Sequence, residues 1–131
     1  ATSGKFDGMS LEWLFGYIFA PLSWVIGIAK EDLLIAGQLL GEKTILNEYI
    51  AYASLKDMIS NNGAILSERS VYILTYALCG FSNIASIGIQ IGGISIMAPN
   101  QKTTLAKLGV YSLIGGTLAC LMTAAIAGIF F

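Results

Sequence analysis

Asn47 and Glu48 set a carboxamide beside a carboxylate within residues 41–53, GEKTILNEYIAYA, a stretch that is otherwise largely apolar. A charged residue at the centre of a membrane helix costs roughly 2.5–3.5 kcal/mol on insertion scales. An ionisable group held at that depth is therefore a functional-site candidate, with its partner to be identified. The plain structural alternative is a carboxylate paired with Lys43. A second unusual cluster lies at residues 80–86, GFSNIAS, where small, hydroxyl and amide side chains interrupt a long apolar run. Asn83, Ser86 and Phe81 in that cluster are candidates to act with Glu48 and Asn47. Interhelical hydrogen bonding and ordinary packing are the alternatives for these three.

Composition narrows the chemistry. The chain has 131 residues, 56% of them hydrophobic and 11% charged, with a net charge of −1. A soluble domain carries about 25% charged residues, so this surface is not mostly water-facing. The absence of His removes imidazole catalysis and a His-ligated metal, and the charge balance removes a nucleic-acid surface. No nucleophile–base pair can be assembled either, so an enzyme is a poor reading. Cys79 and Cys120 both sit inside apolar runs and read as small buried thiols.

The elements that must position these residues follow from hydropathy. Residues 1–10 read as a polar lead-in with no signal-peptide pattern. Residues 11–29 are long and apolar enough for a spanning helix, with Pro21 kinking it. Residues 33–59 form two short apolar arms around a polar tip at Gly41-Glu42-Lys43-Thr44, the pattern of a re-entrant helical hairpin. A loop follows at residues 60–63. Residues 69–97 read as a spanning helix broken near 80–86, with Ser67 as a possible cap. Residues 105–131 form the last span, with a small face at Ser112, Gly116 and Cys120. The GxxxG of Gly88 and Gly92 adds a weak packing signal. Lys102 and Lys107, without acidic neighbours, place their turn on the cytoplasmic side, which also returns Lys5 to the inside. The expected fold is all-α and membrane-embedded.

Two motifs carry a family resemblance. Gly41-x-Lys43-x-x-x-Asn47-Glu48-Tyr49-Ile50-Ala51-Tyr52 resembles the G-x-K-x-x-x-N-E-F-V-A-Y motif of the concentrative nucleoside transporters. Ser67-x-Arg69-Ser70, followed by residues 75–89, TYALCGFSNIASIGI, is similar to the next signature of that family. The resemblance runs from about Leu11 to the C-terminus.

That resemblance implies a homotrimeric carrier in the plasma (inner) membrane, coupling nucleoside uptake to sodium or, in some bacterial members, protons. By similarity Glu48 binds the ribose hydroxyls with Asn83 and Ser86, Phe81 packs on the nucleoside, and Asn47 joins the site. The chemistry agrees: a carboxylate accepts two hydrogen bonds from a vicinal diol, and charge-assisted bonds are about twice as strong as neutral ones. The family fold uses two inverted repeats, and this chain holds one. A coupling-ion site and the nucleobase-reading residues are therefore expected in an N-terminal half, with no cofactor bound by these residues. The expected product is a C-terminal fragment, a truncated gene product or one component of a larger assembly. The competing expectation is a small structural or accessory membrane subunit without ligand.

Overall fold

The computed structural model describes residues 11–61 and 66–131, and every described element is helical. The lead-in at residues 1–10, with its Lys5, and residues 62 and 63 of the expected loop lie outside the described residues, while Ser60 and Asn61 belong to the end of a helix. Six α-helices follow in order: α1 (Leu11–Val25), α2 (Leu33–Ile45), α3 (Glu48–Asn61), α4 (Glu68–Leu78), α5 (Ile84–Met97) and α6 (Lys102–Ala127). Short 3-10 turns at Lys30–Asp32 and Pro99–Gln101 join α1 to α2 and α5 to α6.

α1 is shorter than the run of residues 11–29 suggests. Its 15 residues rise about 22 Å, against about 30 Å for a hydrocarbon core. Gly27 ends it: φ of +92° turns the chain out of the helix, a conformation open to glycine. Among the described residues only 99–127 form a helix long and apolar enough to cross a membrane.

The hairpin differs in its tip. Residues 41–44 stay helical, and α2 gives way to α3 at Leu46 and Asn47. Gly41 serves packing rather than turning. A Cβ there would lie 2.4 Å from Phe15 Cβ, and one on Gly37 would lie 2.3 Å from the Gly16 carbonyl oxygen. Two glycines one turn apart thus let α2 press directly on the backbone of α1.

The broken helix separates α4 from α5 at residues 79–83. Leu39 of α2 and Ile73, Leu74 and Leu78 of α4 are fully buried, in a core shared with Ala51 and Leu55 of α3 and Leu121 and Ala124 of α6. The small face of α6 meets the break, where Gly116 lies against Ser82. Gly88 and Gly92 face open space instead, with nothing within 4 Å of a Cβ at either position.

A polar lock closes the end of the bundle at the α1–α2 turn. Asp32 Oδ2 accepts from Ser67 Oγ at 2.8 Å and Ser67 N at 3.1 Å. Ser67 Oγ caps α4 by accepting from Ser70 N. Burial pushes the Asp32 carboxyl up, but the hydrogen bonds from Ser70 and Ser67 outweigh it and hold it below its ordinary value of 3.8. A carboxyl depressed in the folded state stabilises fully above its unfolded pKa, and that contribution disappears as pH falls through the folded value.

Two predictions arise here. Gly37→Ala forces α1 and α2 apart and is expected to cost about 1–3 kcal/mol, read as lowered thermal stability in detergent; an unchanged transition would remove the close approach. Asp32→Asn is expected to flatten the acid limb of the stability–pH curve below 3.8, with little change in its shape near neutrality, as followed by unfolding at graded pH.

Candidate functional site

The break leaves α4 with carbonyl groups that have no next turn to accept from. The hairpin answers two of them. Lys43 Nζ donates to the Ala77 carbonyl at 2.9 Å in a buried bond, and Tyr52 Oη donates to the Thr75 carbonyl at 2.5 Å. From α6, Cys120 Sγ donates to the Cys79 carbonyl at 3.1 Å. Gly80 takes the sharpest position, with φ of +146° and Cys120 Sγ only 2.6 Å from where a Cβ would stand. Any other residue there meets both a backbone penalty and a clash. Lys43 is thus committed to the end of α4, where a cation also favours the helix dipole. It does not serve as the partner of Glu48.

Across the gap, α5 starts with a side-chain cap. Asn83 Oδ1 accepts from Ser86 N at 2.7 Å and from Ser86 Oγ at 2.6 Å. With its oxygen so engaged, the amide must present Nδ2 outward, and Nδ2 donates to Glu48 Oε2 at 3.2 Å. Glu48 is the first residue of α3, a position where carboxylates suit the positive end of a helix. Asn47 precedes it and accepts from Ile50 N through Oδ1 at 2.9 Å, so its amide is turned onto its own helix.

Glu48, Asn83 and Ser86 therefore form one continuous chain of hydrogen bonds joining the hairpin tip to the break. Asn83 is 3% and Ser86 8% exposed. The remaining capacity is specific. Among the described residues, Glu48 Oε1 has no hydrogen-bond partner. Asn83 keeps one N–H, and the Ser86 hydroxyl keeps acceptor capacity.

Beside this chain lies a cavity of about 340 Å³ between α5, α6 and the break, within the roughly 300–1,000 Å³ span of small-molecule sites. Asn83 and Ser86 line it together with Phe81, Gln90, Leu108 and Ser112. Phe81 is 78% exposed, an aromatic face held out at the break. Glu48 and Asn47 do not line this cavity; Asn83 is the residue common to the cavity and the Glu48 contact. Lys43, expected at the hairpin tip or as a partner of Glu48, instead joins Tyr52 in holding the hairpin against α4. Their signal was present, since both lie in the same motif as Asn47 and Glu48.

Comparison with known proteins assigns this constellation to a family. The profile described as "Na+ dependent nucleoside transporter C-terminus" matches residues 1–128. The chain belongs to that family. It is 42% identical over 125 residues to the putative nucleoside permease NupX of Escherichia coli, covering 95% of this chain and 30% of that protein. It is 45% identical over 132 residues to human solute carrier family 28 member 3, covering 92% of this chain and 19% of the relative. Among solved structures, CNTnw in an inward-facing substrate-bound state superposes with a TM-score of 0.87 at 41% identity, over 93% of this chain and 30% of that one. CNTnw in an intermediate state gives a TM-score of 0.89 at 39% identity, over 96% and 30%. The chain thus spans less than a third of the length of these relatives. They are carriers and not enzymes, and membership makes this chain part of an integral membrane protein.

The fastening of the hairpin generates a prediction. Lys43→Met leaves the Ala77 carbonyl buried and unsatisfied and is expected to cost about 1–3 kcal/mol, whereas Tyr52→Phe removes a bond at the open surface of the helices and costs nearer 1 kcal/mol. Thermal unfolding of the two variants in detergent checks the order; equal losses would remove the distinction between buried and exposed bonds.

Proposed function

We propose that this chain is the sugar-binding C-terminal portion of a cation-coupled nucleoside transporter of the plasma (inner) membrane. The observation that carries the reading is the chain Glu48–Asn83–Ser86, with its spare bonding capacity beside a cavity walled by Phe81. A ribose presents two adjacent hydroxyls, each able to donate and to accept. Glu48 Oε1 accepts from one hydroxyl, the free Asn83 N–H donates to the oxygen of the other, and Ser86 supplies a further acceptor. A hydroxyl bound to a carboxylate in a poorly hydrated site is worth more than the same bond in water.

The bound solute replaces little. Asn83 Oδ1 keeps its bonds to Ser86, so α5 stays capped while the second Nδ2 hydrogen and Glu48 Oε1 engage the ligand. Phe81 offers a flat apolar face to the sugar or base. Asn47, which holds the start of α3, sets the position of Glu48 and stands at the edge of the site. The hairpin of α2 and α3 dips into the membrane and returns, and the split α4–α5 crosses it, the arrangement in which discontinuous helices build transporter sites.

The remaining functions belong to regions outside these residues. The coupling ion, Na+ or H+, and the groups that read the nucleobase are assigned to the part of the longer relatives that this chain does not cover. The large apolar surface of α5 and α6 suits lipid and the other subunits of a homotrimer. The nucleoside is carried across unchanged.

The test uses the full-length protein. Glu48→Gln exchanges a charge-assisted bond for a neutral one and is expected to lower nucleoside uptake and affinity about 10- to 100-fold, from 1.5–3 kcal/mol for a bond to a charged group. Deoxyribonucleosides are expected to bind the wild type less tightly than ribonucleosides, and Glu48→Gln to shrink that difference. Equal uptake and unchanged sugar discrimination in the variant would exclude Glu48 from the site.

A further inference from the structure

One buried carboxyl has no part in the site described above. Glu42 is 8% exposed and lies on α2, one turn before the hairpin tip. Its Oε1 accepts from Gln38 Nε2 at 2.9 Å, from one turn earlier on the same face. Its Oε2 is sealed from solvent and has no hydrogen-bond partner. Asp and Glu are rarely buried unless paired. An ionised carboxylate with one neutral donor and one bare oxygen holds an uncompensated charge where water cannot screen it.

Among the described residues, the basic and titratable groups nearby are occupied or turned away. Lys43, the next residue, donates to the Ala77 carbonyl. On α3, Glu48 is bonded to Asn83 and Tyr52 to the Thr75 carbonyl, while Tyr49, Lys56 and Asp57 are exposed. On α4, Arg69 donates to the Gly128 carbonyl, Glu68 is exposed, and Tyr72 and Tyr76 stack edge to face. In the turn before α2, Asp32 is held by Ser67, and Lys30 and Glu31 are exposed. On α1 the described titratable side chain, Tyr17, is exposed, and α5 has none. Among the described residues none completes Glu42, and a small, positive, mobile species fits what is left.

We propose that Gln38 and Glu42 form a monovalent-cation site within the hairpin, separate from the coupling-ion site assigned outside these residues. The cation is a proton on Oε2 or a sodium ion held by Oε2 and the Gln38 amide oxygen. Glu42 lies in the last turn of α2 and Glu48 opens α3, with the end of that turn and the tip between them. Loading the first therefore biases the position of the second. Solute and cation then favour the same closed hairpin, and by linkage each raises the affinity of the other by an equal factor. A single sequence motif would thus carry both the sugar contact and part of the coupling.

The inference rests on the transport reading, and its test separates the two. The full-length transporter, reconstituted in liposomes at a clamped membrane potential, is assayed for charge and ions entering per nucleoside. Glu42→Gln keeps the shape but not the charge, and is expected to lower the charge per nucleoside by roughly one elementary charge while nucleoside binding persists. A loss that follows the imposed Na+ gradient identifies sodium as the occupant; one that follows the imposed pH gradient identifies the proton. Unchanged charge per nucleoside under both gradients overturns the proposal. If Glu42→Gln does not reach the membrane, Gln38→Leu, which removes only the neighbouring amide, is read instead. It is expected to raise the cation concentration for half-maximal uptake severalfold, and an unchanged value is the overturning result. Unchanged nucleoside affinity and sugar discrimination in Glu48→Gln defeats the sugar-site reading, whereas an unaltered charge ratio in Glu42→Gln defeats the cation site alone.

Discussion

A helix that stops inside a low-dielectric setting must find partners for the carbonyls at one end and the amides at the other. That constraint shapes this molecule more than any other. α4 ends at Leu78 and α5 begins at Ile84, and each unsatisfied backbone group between them would cost about 1–3 kcal/mol. The partners come from three directions. Lys43 and Tyr52 arrive from the hairpin, Cys120 from α6, and Asn83 with Ser86 from the start of α5 itself. The interruption is thereby converted from a defect into the point where all the neighbouring elements meet.

The same bonds explain why the site is preorganised. Asn83 cannot rotate its amide without uncapping α5, so its Nδ2 stays aimed at Glu48. Glu48 in turn is fixed by the hairpin, which Lys43 fastens to the end of α4 with a buried bond and Tyr52 with an exposed one. On the sugar-binding reading, a ligand arriving between them disturbs at most a single 3.2 Å contact and leaves the caps intact. Binding groups held by their own structural duties lose little freedom on engagement, and that economy favours affinity.

Much of this was legible in the sequence. The polar cluster at residues 80–86 marked the break, and the motif around Asn47 and Glu48 marked the second arm of the hairpin. The tip was misplaced for a physical reason. Gly41-Glu42-Lys43-Thr44 has the composition of a turn, yet its glycine is there for contact with Phe15 and its lysine for the Ala77 carbonyl. Local composition records that a position is unusual without recording which distant group makes it so. The shortened α1 has a similar cause, because the turn at Gly27 interrupts a hydropathy pattern that continues to Ala29. The Tyr52 hydroxyl finds its partner 23 residues away on another helix, so nothing local to its own helix signals that bond. The Asn83–Glu48 contact spans 35 residues, and no periodicity within either helix encodes it.

The exposed surface completes the picture. Phe81 stands 78% exposed beside the cavity, and Ile89, Ile96, Met97, Tyr111 and Met122 are also open. α6 is apolar around much of its circumference and buries little of it within these residues, which for a helix of this composition means lipid or further protein. The lipid-facing share needs no partner. Phe81 is different, because an aromatic ring at the mouth of a polar site excludes water only when something faces it. A cavity bounded by α5, α6 and the break has one wall, and alternating access needs a second body against which that wall can move. The relatives are more than three times longer than the stretch matched here, room enough for such a body. On the transport reading, the opposing wall lies outside these residues, and the stretch described here contributes the sugar-facing surface and the hairpin that closes upon it.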